Sequence, residues 1–307
     1  LIPKGSWVSY LPQIKSKNGQ YHILETSIKN EFKLTPEELD AFCIKDRNNQ
    51  KILILNSPNN PTGAVYKEKE LENLAVICRK HDVIVMSDEI YSQVNFSKDF
   101  SPSISKYYPE KTIVFGGLSK VFSGGGYRLG FMALPNDLRC LKSMYRSLFS
   151  ETFSAVAAPI QHASITAYEY DLSLKNYITT CSSILKLIAE FVYNQLVSFG
   201  LECTLPQGAF YMMIGFNSFQ EKFKNIGITT SDHLSEYLLN NYGVALLPAT
   251  DFYFQKHELF FRLAFVDFDG ESVLNSYASF NGTNEEFVIT NCSSIYRGIS
   301  QIIQCVK

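Results

Sequence analysis

Gly116-Gly-Leu-Ser-Lys120-Val-Phe-Ser123-Gly-Gly-Gly126-Tyr-Arg128-Leu-Gly-Phe131 follows directly on the apolar run Thr112-Ile-Val-Phe115. A buried strand therefore empties into a glycine-rich turn that carries a lysine, two serines and an arginine. Taken alone, a lysine beside glycines is an ordinary solvated side chain in a flexible loop. The reading changes because other apolar runs in the chain end in the same way.

Upstream, Lys51-Ile-Leu-Ile-Leu55 stops at Asn56-Ser-Pro-Asn-Asn-Pro-Thr-Gly63, a strand closed by a stiff loop with two prolines. Helical spacing follows from Lys67 to about His81, with Leu71, Leu74, Ala75 and Cys78 on one face. Val83-Ile-Val-Met86 is a second buried strand and runs into Ser87-Asp-Glu-Ile-Tyr91; Tyr127–Ala133 reads as a further strand. Short apolar strands alternating with helices indicate an α/β fold, a mostly parallel sheet flanked by helices. In such sheets ligands bind where the polar strand ends collect.

Downstream, a long helical pattern extends from about Tyr168 to Phe199, through Leu185, Ile188, Ala189, Val192 and Leu196, with Gly200 as its stop. Gly208–Ile214, Val244–Leu247 and Phe260–Phe265 read as strands, and Ser231–Asn240 as a helix. The expected division is a large domain over residues 1–172 and a smaller C-terminal α+β domain over 173–307, opening with the long helix.

Bulk properties narrow the function. The formal net charge of 307 residues is -2, so no basic surface for nucleic acid is implied. No run reaches the ~20 apolar residues of a membrane helix. Cys43, Cys78, Cys140, Cys181, Cys203, Cys292 and Cys305 are scattered, odd in number and free of CxxC pairs. That argues against zinc and a disulfide framework, and for a reducing cytoplasm. Leu1–Tyr10 does not read as a secretion signal. The first residues resemble the middle of a strand-turn unit, so the expectation is that an N-terminal segment precedes Leu1.

Five positions outside the glycine turn bear on chemistry, and each also has a plain structural explanation. For Lys120 to act as a nucleophile its amine must be neutral, although the reference pKa is ~10.4. Desolvation and the fixed charge of Arg128, eight residues on, would both favour the neutral form. Arg128 also presents a planar fork suited to a phosphate. Asp88, at the mouth of a buried strand, needs a partner, and a pyridinium nitrogen is one; a helix cap is the alternative. Tyr91 can donate to a ring phenolate oxygen or simply pack. The Asn60 amide, held between prolines, can serve such an oxygen or a carboxylate, or merely shape a turn. Arg262, flanked by apolar residues in Phe260–Phe265, fits either a substrate carboxylate or an internal salt bridge. Trp7 can stack on a planar ring or belong to the core.

The ordered set PKGSWVSY (3–10), NSPNNPTGAVY (56–66), SDEIY (87–91), GGLSKVFSGGGYRLGF (116–131), GAFY (208–211) and FFRLAF (260–265) resembles the class I/II aminotransferases of fold type I, the aspartate aminotransferase-like pyridoxal-phosphate enzymes. The resemblance implies transamination between an L-amino acid and a 2-oxo acid, with pyridoxal 5'-phosphate held on Lys120 as a Schiff base. It implies that Lys120 moves the proton between substrate Cα and cofactor. By the same resemblance, Asp88 pairs with the pyridine nitrogen, Tyr91 and Asn60 hold the ring oxygen, and Ser119 and Arg128 bind the phosphate. Arg262, assisted by Asn60, takes the substrate carboxylate, and Trp7 stacks on the ring. A homodimer is implied as well.

Two family features, the phosphate-binding glycine turn and the tyrosine contributed by a second subunit, would lie upstream of Leu1. The glycine run at 124–126 and the tail from Asp267 depart from the commonest family pattern. Competing readings are a C–S β-lyase or cyclopropane-forming synthase of the same fold, and a non-catalytic homologue that only binds ligand.

Overall fold

The computed structural model describes residues 1–169 and 171–307. In chain order the strands are β1 (Ile2–Pro3), β2 (Ile23–Leu24), β3 (Ile52–Asn56), β4 (Ile84–Asp88), β5 (Thr112–Gly117), β6 (Gly130–Ala133), β7 (Glu202–Cys203), β8 (Tyr211–Gly215), β9 (Leu247–Pro248) and β10 (Phe260–Ala264). The α-helices are α1 (Tyr10–Ser16), α2 (Pro36–Lys45), α3 (Glu68–Lys80), α4 (Leu141–Thr152), α5 (Ala158–Glu169), α6 (Leu172–Ser198), α7 (Gln220–Lys224), α8 (Ser231–Tyr242), α9 (Gly270–Tyr277), α10 (Asn284–Asn291) and α11 (Ser293–Val306).

The first large sheet has the order β3-β4-β5-β6. β3, β4 and β5 run parallel and β6 closes the edge antiparallel. Leu53, Leu55, Val83 and Val85 are buried with Leu71, Leu74, Ala75 and Cys78 of α3 in one cluster. The helical face read from the sequence is thus the face that covers the sheet. The register sets Asn56 beside Asp88 and Asp88 beside Phe115, so the polar ends of β3 and β4 finish at one level, next to the last turn of β5 into the glycine segment. Antiparallel pairing of β6 with β5 sets Gly130 opposite Gly117 and returns the chain from the glycine turn along its own strand.

The second sheet, β7-β8-β10-β9, is antiparallel throughout. Ile188, Ala189, Val192 and Leu196 of α6 pack on Met212, Ile214 and Phe261 of this sheet. The tail joins the same core: α11 buries Ile295, Ile299, Ile302 and Val306 in it.

Three expectations need correction. The long helix begins at Leu172, because the Asp171 carboxylate accepts the Leu174 N–H at 2.8 Å and caps it. Tyr168 belongs to the preceding α5, and the helical reading at Tyr170 lies outside the described residues. Its other end does stop at Gly200, at φ +86, where Leu201 N–H returns to Leu196 O and Gly200 N–H to Val197 O. That is the paired bonding of a left-handed helix stop, which a glycine adopts without side-chain strain. Strand pairing in the segment 244–247 is confined to its last residue and Pro248, since the Ser235 hydroxyl occupies the Leu246 carbonyl at 2.7 Å. The strand expected over Tyr127–Ala133 starts only at Gly130, a 3-10 turn occupying 125–127. Among the described residues, no helix is long and apolar enough to cross a membrane.

Candidate active site

A cavity of about 600 Å³ opens over the polar strand ends of the first sheet. Trp7, Asn60, Asp88, Tyr91, Ser119, Lys120, Arg128 and Arg262 all line it, so the folded chain brings every residue singled out in the sequence to one place.

The loop after β3 is built by side chain–backbone bonds. Asn56 Nδ2 donates to the Asp88 carbonyl at 2.8 Å, and Asn56 Oδ1 accepts the Asn60 N–H at 2.9 Å. Gly63 sits at φ +70, and a Cβ there would meet the Tyr211 carbonyl at 2.5 Å. Its own carbonyl accepts the N–H groups of Gln207 and Gly208, stitching the loop to β8. Asn60 is held by this frame at 5 % exposure, and its Oδ1 accepts from Arg262 Nη1 at 3.2 Å.

Arg262 stands in the middle of β10. Its guanidinium lies 4.7 Å from the Tyr211 ring centroid and 5.4 Å from that of Phe252. Its Nε is buried without a hydrogen-bond acceptor. The internal salt bridge left open by the sequence is not formed: among the described residues, no carboxylate lies within ion-pair distance. An arginine with a buried, unmatched donor is fitted to accept an incoming carboxylate.

Asp88 ends β4. Its Oδ2 accepts from the Tyr10 hydroxyl at 2.6 Å and its Oδ1 from the Ile90 N–H at 3.2 Å. Burial raises its proton affinity above that of an ordinary aspartate, with those two donors opposing. Lys120 shows the converse. Its amine is pushed below the usual lysine value by burial first, then by the charge of Arg262, then by Arg128. Both cationic neighbours contribute, and the larger is Arg262 rather than the Arg128 named from the sequence. Lys120 Nζ lies 5.9 and 5.7 Å from the ring centroids of Tyr91 and Phe210.

Tyr91, 3 % exposed, donates to the Tyr211 hydroxyl at 3.3 Å; burial and Tyr211 raise its phenol pKa. Arg128 adopts the left-handed conformation (φ 54), with Nη1 on the Gly125 carbonyl at 2.8 Å, and Ser119 lines the cavity beside Lys120. Trp7 meets Tyr10 edge-on, with centroids 5.4 Å apart. Its carbonyl accepts from the Tyr253 hydroxyl at 2.7 Å, and the Tyr253 hydroxyl oxygen in turn accepts the Leu11 N–H at 3.2 Å.

Pyridoxal phosphate fits this donor set. Among the described residues Asp88 is a buried carboxylate with no cationic partner and Lys120 a half-buried amine with no anionic one, while Arg128 and Ser119 offer a charge and a hydroxyl nearby. Sequence reasoning passed over Tyr10, Asn56 and Tyr211. Each lies within a stretch that carried the resemblance, but an inward-facing tyrosine or asparagine looks the same in sequence as one used for packing.

Residues 1–271 match the family described as aminotransferase class I and II. The aspartate aminotransferase of Geobacillus stearothermophilus is 34% identical over 256 residues, covering 82% of this chain and 62% of that protein. The asparagine–oxo-acid transaminase of Streptococcus mutans is 32% identical over 256 residues with the same coverage. The solved aromatic aminotransferase of Pyrococcus horikoshii superposes with a TM-score of 0.77 at 26% identity, over 99% of this chain and 72% of the other. The chain thus spans 62% of the length of these two curated relatives.

Proposed function

Because this chain belongs to the aminotransferase class I and II family, we propose that it transfers an amino group between an L-amino acid and a 2-oxo acid, using pyridoxal 5'-phosphate. The carrying observation is that Lys120 and Asp88 share one cavity without pairing. Both line the cavity; Asp88 is met by the Tyr10 hydroxyl and the Ile90 N–H, and among the described residues no ion pair joins it to Lys120, whose pKa is lowered by burial, then Arg262, then Arg128. A buried charge left without its partner costs stability, and such a cost is characteristic of a site completed by a ligand.

When bound, the cofactor supplies a protonated ring that takes up the electron pair left at the substrate Cα. The chain's own residues do the rest. Lys120, biased toward the neutral amine by burial and two arginines, would hold the cofactor through Nζ and is the group placed to accept a proton from the substrate Cα on that atom. Asp88 would accept a hydrogen bond from the protonated ring nitrogen. Tyr91 and Asn60 would hold the ring oxygen, Trp7 would stack on the ring, and Ser119 and Arg128 would bind the phosphate. Arg262 and Asn60 grip the α-carboxylate, which sets the Cα beside Lys120. Residues 1–172 would form the cofactor-binding domain and 173–307 the smaller domain, in a homodimer in the cytoplasm.

The test is a panel of amino donors offered singly to the full chain loaded with cofactor, read as conversion to the amine form of the cofactor, then against 2-oxoglutarate. Donor-dependent conversion and return supports the reading. Elimination products from cysteine-type donors without amino transfer would move the assignment to a C–S β-lyase, and no cofactor uptake would overturn it.

A further inference from the structure

Within the site, one strong buried hydrogen bond has no part in the roles assigned so far. The Tyr10 hydroxyl donates to Asp88 Oδ2 at 2.6 Å, with the tyrosine only 6 % exposed. We propose that Tyr10 is a positioning residue for the reaction, its hydroxyl keeping the Asp88 carboxylate ionised and aimed so that the proton shared with the cofactor ring nitrogen stays on the ring. The inference rests on the reading of Asp88 as the ring-nitrogen partner.

The physical need comes from burial. A buried carboxylate tends to take up a proton. If Asp88 did so against the cofactor, the ring nitrogen would be left neutral and the ring would be a poorer electron sink. Donors to the charged carboxylate oppose this, and among the described residues Asp88 has two: the Ile90 N–H at 3.2 Å and the shorter, charge-assisted bond from Tyr10. The phenol is a permanent donor, since burial first and the Asp88 charge second raise its pKa well above the ordinary tyrosine value.

Its aim is fixed from several sides. Tyr10 is the first residue of α1, and its N–H donates to the Trp7 carbonyl at 3.2 Å. The Trp7 ring meets its face edge-on, and Tyr253 grips the backbone on both sides, at Trp7 O and Leu11 N. A phenylalanine would fill the same space; only the hydroxyl reaches the carboxylate.

The experiment compares the full chain with its Tyr10→Phe variant, each loaded with pyridoxal phosphate carrying ¹⁵N at the ring nitrogen. In the variant the ¹⁵N resonance is expected to move toward that of the unprotonated ring. With it, kcat should fall roughly ten- to a hundredfold, the worth of a hydrogen bond to a charged group, while KM stays within about twofold. Tyr253→Phe, which loosens the loop but keeps the phenol, is expected to give a smaller displacement in the same direction. An unmoved ¹⁵N resonance in Tyr10→Phe overturns the role while leaving the proposed function intact, even if kcat falls. A wild-type chain that takes up no cofactor removes the function and this inference together.

Discussion

Replacing Arg262 by alanine should raise KM for every amino donor by the same large factor and lower kcat as well, since the guanidinium also favours the neutral amine of Lys120. The guanidinium donates to Asn60 Oδ1 at 3.2 Å, stacks 4.7 Å above Tyr211 and keeps Nε buried without an acceptor. It is thus held in orientation yet has capacity for a two-point grip on a carboxylate. Hydrogen bonds between charged groups contribute about 1.5–3 kcal/mol each. Losing a paired grip, with water replacing part of it, should cost about 3–4 kcal/mol. At ~1.4 kcal/mol per factor of ten, KM rises roughly 10²–10³-fold. An Arg262→Lys variant keeps the charge but not the fork, and should fall between, at roughly ten- to a hundredfold. Because the α-carboxylate is common to all donors, the ratio of mutant to wild-type KM should not depend on the side chain. The fold should lose little: no salt bridge is broken, and the aromatic stacking is worth roughly 1 kcal/mol, a drop in Tm of under about 4 °C. The assay is steady-state kinetics over a donor panel, with Tm recorded for each variant. A KM within twofold of wild type, or a ratio that varies strongly from donor to donor, would falsify the carboxylate role.

Lys120→Ala should abolish amino transfer and the visible absorption of lysine-bound cofactor, both read on purified protein mixed with pyridoxal phosphate; normal turnover by the variant would end the assignment. Asp88→Asn should raise the Tm of the cofactor-free chain at neutral pH. The folded pKa of Asp88 lies above the unfolded value near 3.8, so its cost to stability is absent at low pH and grows as pH rises through that window. The gain should therefore shrink as the Tm comparison is moved to acid, and a gain independent of pH would contradict the cause. Asp171→Ala removes the cap of α6 and should cost about 1 kcal/mol by denaturant titration, with cofactor uptake unaffected.

The parallel strands were readable because β3, β4 and β5 are apolar runs that each end in a polar cluster, a pattern periodicity makes visible. The direction of β6 was not: an antiparallel edge strand and a parallel one have the same composition, and only the register of Gly130 on Gly117 distinguishes them. The sequence left Arg262 between a substrate grip and an internal ion pair, a choice that turns on which acids the fold brings near. Tyr10 was hidden for a related reason, since its partner lies 78 positions away. The short α2 carried a legible signal that went unused: Thr35 and Glu38 form a reciprocal cap around Pro36. α4 and α5 bury none of their described side chains, so the core could not announce them.

Tyr253 touches the backbone on both sides of Tyr10 while itself following the turn Ala249–Phe252, whose last ring lies 5.4 Å from the Arg262 guanidinium. The residue proposed to seize an acid group and the one proposed to govern charge on a ring are consequently bolted to a single crossbar. A change in that segment would therefore reach both supports together.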